Sequence, residues 1–108
     1  MIEKRTVIDQ IEVSRDGTLQ IRFGLLLIED GNEIDCKWHR TIIEPGGDVD
    51  GQIAAVNSHL AQMGKAPVEL SEADRLKALV PVVQTADVVA SHRMRRASIE
   101  AQLDKQPL

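Results

Sequence analysis

Cys36, His39 and Arg40 stand within five residues of one another, and a thiol three positions from an imidazole could be a nucleophile with its base or half of a metal site. The run from Asn32 to Ile43 reads as a strand, however, and in a strand Cys36 and His39 differ in parity and point to opposite faces. Zinc needs about four converging ligands, and no second pair at such spacing exists in the chain. Cys36 is therefore expected as a buried structural thiol, and His39, beside Arg40, as a solvated strand residue. The second grouping is His92-Arg93-Met94-Arg95-Arg96, a basic cluster able to meet phosphate or an acidic protein patch. It has no aromatic residues around it on which bases could stack, which argues against nucleic acid. Asp48-Val49-Asp50-Gly51 has the start of a calcium loop, but Ile53 and His59 fall where a ligand and the final acid belong. Pro45-Gly46-Gly47 precedes no Lys-Ser/Thr and so makes no phosphate cradle. No Ser/His/Asp set or carboxylate pair can be assembled. The expectation is a protein without enzymatic activity, metal or cofactor, whose candidate contacts are His39, Arg40, His92, Arg93, Arg95 and Arg96.

Two Asp-Gly turns, Asp16-Gly17 and Asp30-Gly31, separate three strand-like runs. In the first, Val7, Ile11 and Val13 share one parity, but Asp9 interrupts that face and Ile8 the other. This irregular strand is expected at an edge. The second is regular: Leu19, Ile21, Phe23, Leu25 and Leu27 alternate with Thr18, Gln20 and Arg22. From Gly24 onward Leu26 and Ile28 make its other face apolar as well, so that end is expected to be covered on both sides, by helices or by a partner. The third run sets Ile34, Cys36, Trp38 and Ile42 against Glu33, Asp35, Lys37, His39 and Thr41. Short turns make the three an antiparallel meander with the second strand central.

Past Glu44-Pro45-Gly46-Gly47 the pattern turns helical. Asp48 or Asp50 can cap a first helix with Ile53, Val56, Leu60 and Met63 as its stripe, closed by Gly64 and stopped by Pro67. A second is expected from Ser71, with Asp74 at capping-box spacing and Leu76, Leu79, Val80 and Val83 inward. Pro81 should kink or split it. Thr85 can cap a third helix to about Leu103, whose large aliphatics are Val88, Val89, Ile99 and Leu103. So thin a stripe frays or packs on something outside the chain. The predicted fold is α+β: a three-stranded antiparallel meander followed by two or three helices. Residues 1–66 form the meander and first helix, and residues 67–108 a helical extension of the same single domain, packing on it or on a partner.

With 108 residues and two aromatics, Phe23 and Trp38, the core is small and aliphatic, which favours association with another copy or another protein. Residues 1–70 carry a net charge of -5 and residues 71–108 of +1, a balance without the basic surface of a nucleic-acid binder. One cysteine rules out an intrachain disulfide and suits a reducing compartment. The N-terminus lacks the apolar run of a signal peptide, and the longest solid apolar stretch, Leu25 to Ile28, cannot span a membrane. A soluble protein, cytoplasmic at synthesis, is expected.

Ile28-Glu29-Asp30-Gly31-Asn32-Glu33-Ile34, then Trp38-His39-Arg40-Thr41 and Glu44-Pro45-Gly46-Gly47-Asp48, resembles small proteins encoded in bacteriophage and prophage regions, often among tail genes. The resemblance covers about residues 6–50 and fades beyond Asp50. It implies a virion or assembly component that works by protein contact, and that His39 and Arg40 act as a pair, bridged to Glu29 or Glu33 or offered to a partner. The leading expectation is thus a non-enzymatic phage- or prophage-derived structural or assembly protein, self-associating or bound to another phage structural protein, and in that case virion-associated. The alternative is a monomeric bacterial adaptor or regulator binding one protein partner through the basic C-terminal helix.

Overall fold

A computed structural model describes the backbone of residues 1–105 and the side chains of residues 1–101. Strands β1 (Ile2–Val13), β2 (Leu19–Glu29) and β3 (Asn32–Ile43) precede helices α1 (Val49–Gln62), α2 (Leu70–Val83) and α3 (Ala86–Lys105). The sheet is antiparallel with β2 in the middle, an α+β fold. Both Asp-Gly turns form, with Gly17 and Gly31 at positive φ where other residues are strained.

Leu19, Ile21, Phe23 and Leu25 of β2 form the floor of the core and are buried on one face. Ile53, Val56 and Leu60 of α1, with Ala73, Leu76 and Val80 of α2, cover that face. Both helices complete one hydrophobic cluster with the sheet, so the core draws on residues from both sides of position 66. The link between them crosses beside β1. Thr6 donates its hydroxyl to the Ala66 carbonyl at 2.6 Å, Glu69 N–H donates to the Thr6 carbonyl at 3.1 Å, and Thr6 bridges Val68 in parallel. Arg5 and Glu69 form an ion pair along the same edge, and the guanidinium holds the Glu69 carboxyl below its ordinary pKa.

Two single-residue bulges decide which side chains see the helices. In β1 the register shifts between Ile8 and Gln10, leaving Asp9 without a partner on β2. Ile8 pairs with Phe23 and Ile11 with Ile21, so both pack on the core, and Val7 turns outward. In β3 the shift lies at Ile34: Ile28 pairs with Glu33 but Leu27 with Asp35. A shift of one residue turns the rest of a strand over. His39, Thr41 and Ile43 therefore line up with Phe23, Ile21 and Leu19 on the helix side. Cys36, Trp38 and Ile42 pair with Leu26, Gly24 and Gln20 on the other side. This corrects the expectation for Cys36: it is half-buried on an uncovered sheet face, outside the core.

Asp48 caps α1 by accepting from Gly51 N–H at 3.1 Å, and Gly64 closes it at positive φ. Helix α2 departs from expectation at its start. Glu69 is its N-cap residue with no side-chain cap bond, Ser71 lies inside the first turn, and Glu69 instead reaches Arg5. Pro81 sits in the last turn of α2 without interrupting it, and the chain breaks only at Gln84. Thr85 caps α3 as expected, its hydroxyl accepting from Val88 N–H at 3.4 Å. The Leu103 side chain lies outside the described residues.

Candidate functional site: the open sheet face

Among the described residues, no element covers the sheet face opposite α1 and α2. Its side chains come from alternate positions of all three strands: Val7, Gln10 and Glu12; Gln20, Arg22, Leu26 and Ile28; Cys36, Trp38, Arg40 and Ile42. Trp38 is 52% exposed and Ile42 54% exposed, while Val7, Leu26, Ile28 and Cys36 are half-buried by one another. Apolar side chains grouped on a flat, uncovered face are unusual for a surface that meets only water.

One charged group organises the middle of this face. Arg22 stacks its guanidinium over the Trp38 ring, 4.4 Å from the centroid, and donates from Nε to Asp9 Oδ2 at 2.8 Å. The unpaired bulge residue of β1 thus becomes the anion that fixes Arg22, and Arg22 in turn fixes the indole. Arg40 pairs with Arg22 across β2 and β3, is exposed, and makes no ion pair among the described residues. A shallow depression of about 140 Å³ lies between these arginines, Gln10, Glu12, Gln20 and Ile42. Partial burial and the acids Glu33, Asp9 and Asp35 raise the Cys36 thiol above its ordinary pKa, so it is held as the poorly nucleophilic thiol.

His39 and Arg40 lie on opposite faces of the sheet. Arg40 belongs to the open face, whereas His39 points toward α1 and stacks on His59, ring centroids 5.0 Å apart. Burial first, and the His59 charge second, lower the His39 pKa. Next to it Gln52 of α1 donates its amide to the Thr41 hydroxyl. Neither Glu29 nor Glu33 forms an ion pair with Arg40 among the described residues.

The basic cluster of α3 meets the far end of the sheet. His92 is half-buried, with Nδ1 3.6 Å from Asp16 and Nε2 4.0 Å from Glu44, and Nε2 has no hydrogen-bond partner. Thr18 N–H holds the Asp16 carboxyl below its ordinary pKa. Arg96 pairs with Glu44 at 3.0 Å, and Arg93 lies beside Gly46. Arg95 lines a hollow with Arg15, Asp16 and Asp87. From Arg93 to Ala101 every residue is exposed, with Met94 at 73% and Ile99 at 51%.

Among the described residues no three His, Cys, Asp or Glu side chains converge as metal ligands, and no helix is long and apolar enough to cross a membrane. Sequence reasoning missed Asp9, Arg22 and Trp38 as a unit. The signal was present in the paired interruption at Ile8 and Asp9, which is how a bulge reads in an alternating pattern. Comparison with protein-family models, with curated proteins and with solved structures finds no match.

Proposed function

We propose that this protein is a non-enzymatic structural or assembly component of phage or prophage origin, acting through protein–protein contact and self-association. The observation that carries the reading is the uncovered sheet face, where the lone tryptophan, Trp38, lies outside the core and is held in place by Arg22 and Asp9. A side chain that large contributes most when desolvated, and an interface desolvates it. The resemblance of residues 6–50 to phage tail-region proteins supports the same reading, in which the protein is cytoplasmic at synthesis and virion-associated after assembly. Light scattering coupled to size-exclusion chromatography over a wide concentration range tests it. An oligomer that survives dilution supports it; a monomer at every concentration overturns self-association.

One observation favours the second reading, a monomeric adaptor. From Arg93 to Ala101 every residue of α3 is exposed, and this stretch joins Arg95 to Met94 and Ile99, the makings of a helix that docks in an acidic groove. Charge reversal at Arg95 that abolishes partner capture while the mass stays monomeric would select it.

A further inference from the structure

The open face is uneven in two directions. Along the strands, the half nearer the Asp30-Gly31 hairpin carries Val7, Leu26, Ile28, Cys36 and Trp38, with Arg5 at its β1 edge paired to Glu69, and the other half carries Gln10, Glu12, Gln20, Arg22 and Arg40. Across the strands, β1 supplies the acids Asp9 and Glu12, and β3 supplies Arg40, which has no ion pair among the described residues.

We propose that the same face of a second copy covers this one, about a two-fold axis running along β2 in the interface plane, so that Arg40 of each copy meets the Asp9–Glu12 stretch of the other. This rests on the self-association reading above and specifies its surface. A two-fold along the strands keeps every row of the face against the same row of the second copy and exchanges β1 with β3. The apolar half then meets the apolar half and Arg40 meets the acidic stretch, while Arg22, on the axis, faces its own copy with Asp9 as its counter-ion. A two-fold across the strands would do the reverse. It would press the Arg22–Arg40 row onto Leu26 and Cys36, desolvating a guanidinium without a counter-ion.

The dimensions agree. Eleven or twelve residues per strand and three strands make a plan area of roughly 500 Å². Side-chain relief raises the accessible area toward the ~800 Å² per partner of a stable complex. Sheets packed face to face lie about 10 Å apart, a gap an arginine side chain largely spans. Glu3 and Glu33, opposite the two strands' ends of Ile28, would meet as like charges at the rim, where water and salt screen them.

Trp38, the single tryptophan, reports the event directly. With the full chain titrated from micromolar to near-millimolar concentration, light scattering should show monomer passing to dimer. Trp38 emission should shift to the blue and lose acrylamide quenching with the same midpoint. Arg40→Glu should raise the dimer dissociation constant at least ~10-fold, Glu12→Arg should also weaken the dimer, and the double variant should recover most of the affinity. Far-UV circular dichroism confirms that each variant is folded. A dimer in which Trp38 stays freely quenched, or one indifferent to both charge reversals, overturns this geometry and leaves self-association standing. A monomer throughout overturns both.

Discussion

The side-chain amide of Gln84, just past the end of α2, donates to the main-chain carbonyl of Ile43, the last residue of β3, at 2.9 Å. The same nitrogen donates to the Gly17 carbonyl in the first turn, also at 2.9 Å. One buried amide thus ties the end of α2 to two separate segments at one end of the sheet, and the first turn of α3 packs over it through Val88 against Gly17.

Gln84→Leu removes both donors and leaves two carbonyls facing an apolar side chain. A loss of about 2–4 kcal/mol is expected from the desolvation of buried unpaired groups. Urea denaturation checks it: a change under 1 kcal/mol would mean that water replaces the amide.

Gly17→Ala and Gly31→Ala separate backbone strain from crowding. Both glycines have positive φ, but a Cβ at Gly31 meets nothing, whereas one at Gly17 meets Val88 Cγ1. Gly31→Ala should cost about 1 kcal/mol, and Gly17→Ala more. Val88→Ala in the Gly17→Ala background should return part of the difference in thermal unfolding, and equal costs at the two sites would contradict the packing of α3 on this turn.

Acidification should weaken the fold through His39. Its folded pKa is lowered by burial and by His59, so the unfolded chain binds the proton more readily. The His39 contribution is fully present above the ordinary histidine pKa and is lost as pH falls from there through the lowered folded value. His39→Gln should flatten the stability profile between neutral pH and about pH 5. Denaturant midpoints across that window, with NMR titration of the ring, give the measurement; an upward pKa would refute it.

Ending the chain after Arg96 should change stability by no more than about 0.5 kcal/mol, because the residues of α3 described beyond that point are exposed and pack on nothing. Ending it after Thr85 should cost more, since Val88, Val89 and His92 are half-buried against the sheet end. Circular dichroism melts of the two truncations distinguish them.

Short-range chemistry made much of the fold legible. The Asp16-Gly17 and Asp30-Gly31 turns, the period-two pattern of Leu19 to Leu27, the Asp48 and Thr85 caps and the Gly64 stop each act over a few residues. The strands, their order and the helix sequence therefore follow from the chain alone. The helix start at Ser71 did not, because Glu69 is claimed by Arg5, sixty-four residues away, a contact with no local signature.

The orientation of β3 was settled only in three dimensions. An unbroken hairpin from Asp30-Gly31 would set Cys36, Trp38 and Ile42 on the helix side, as the alternation of β3 suggests. The bulge at Ile34 moves the register by one and sends them to the open face, bringing His39, Thr41 and Ile43 under α1. Parity carries no memory of an inserted residue, so a sequence pattern of period two cannot say which face it describes. That choice was made by the packing of Ile43 beside Leu19 and of Gln52 and His59 against β3, and it left Trp38 outside.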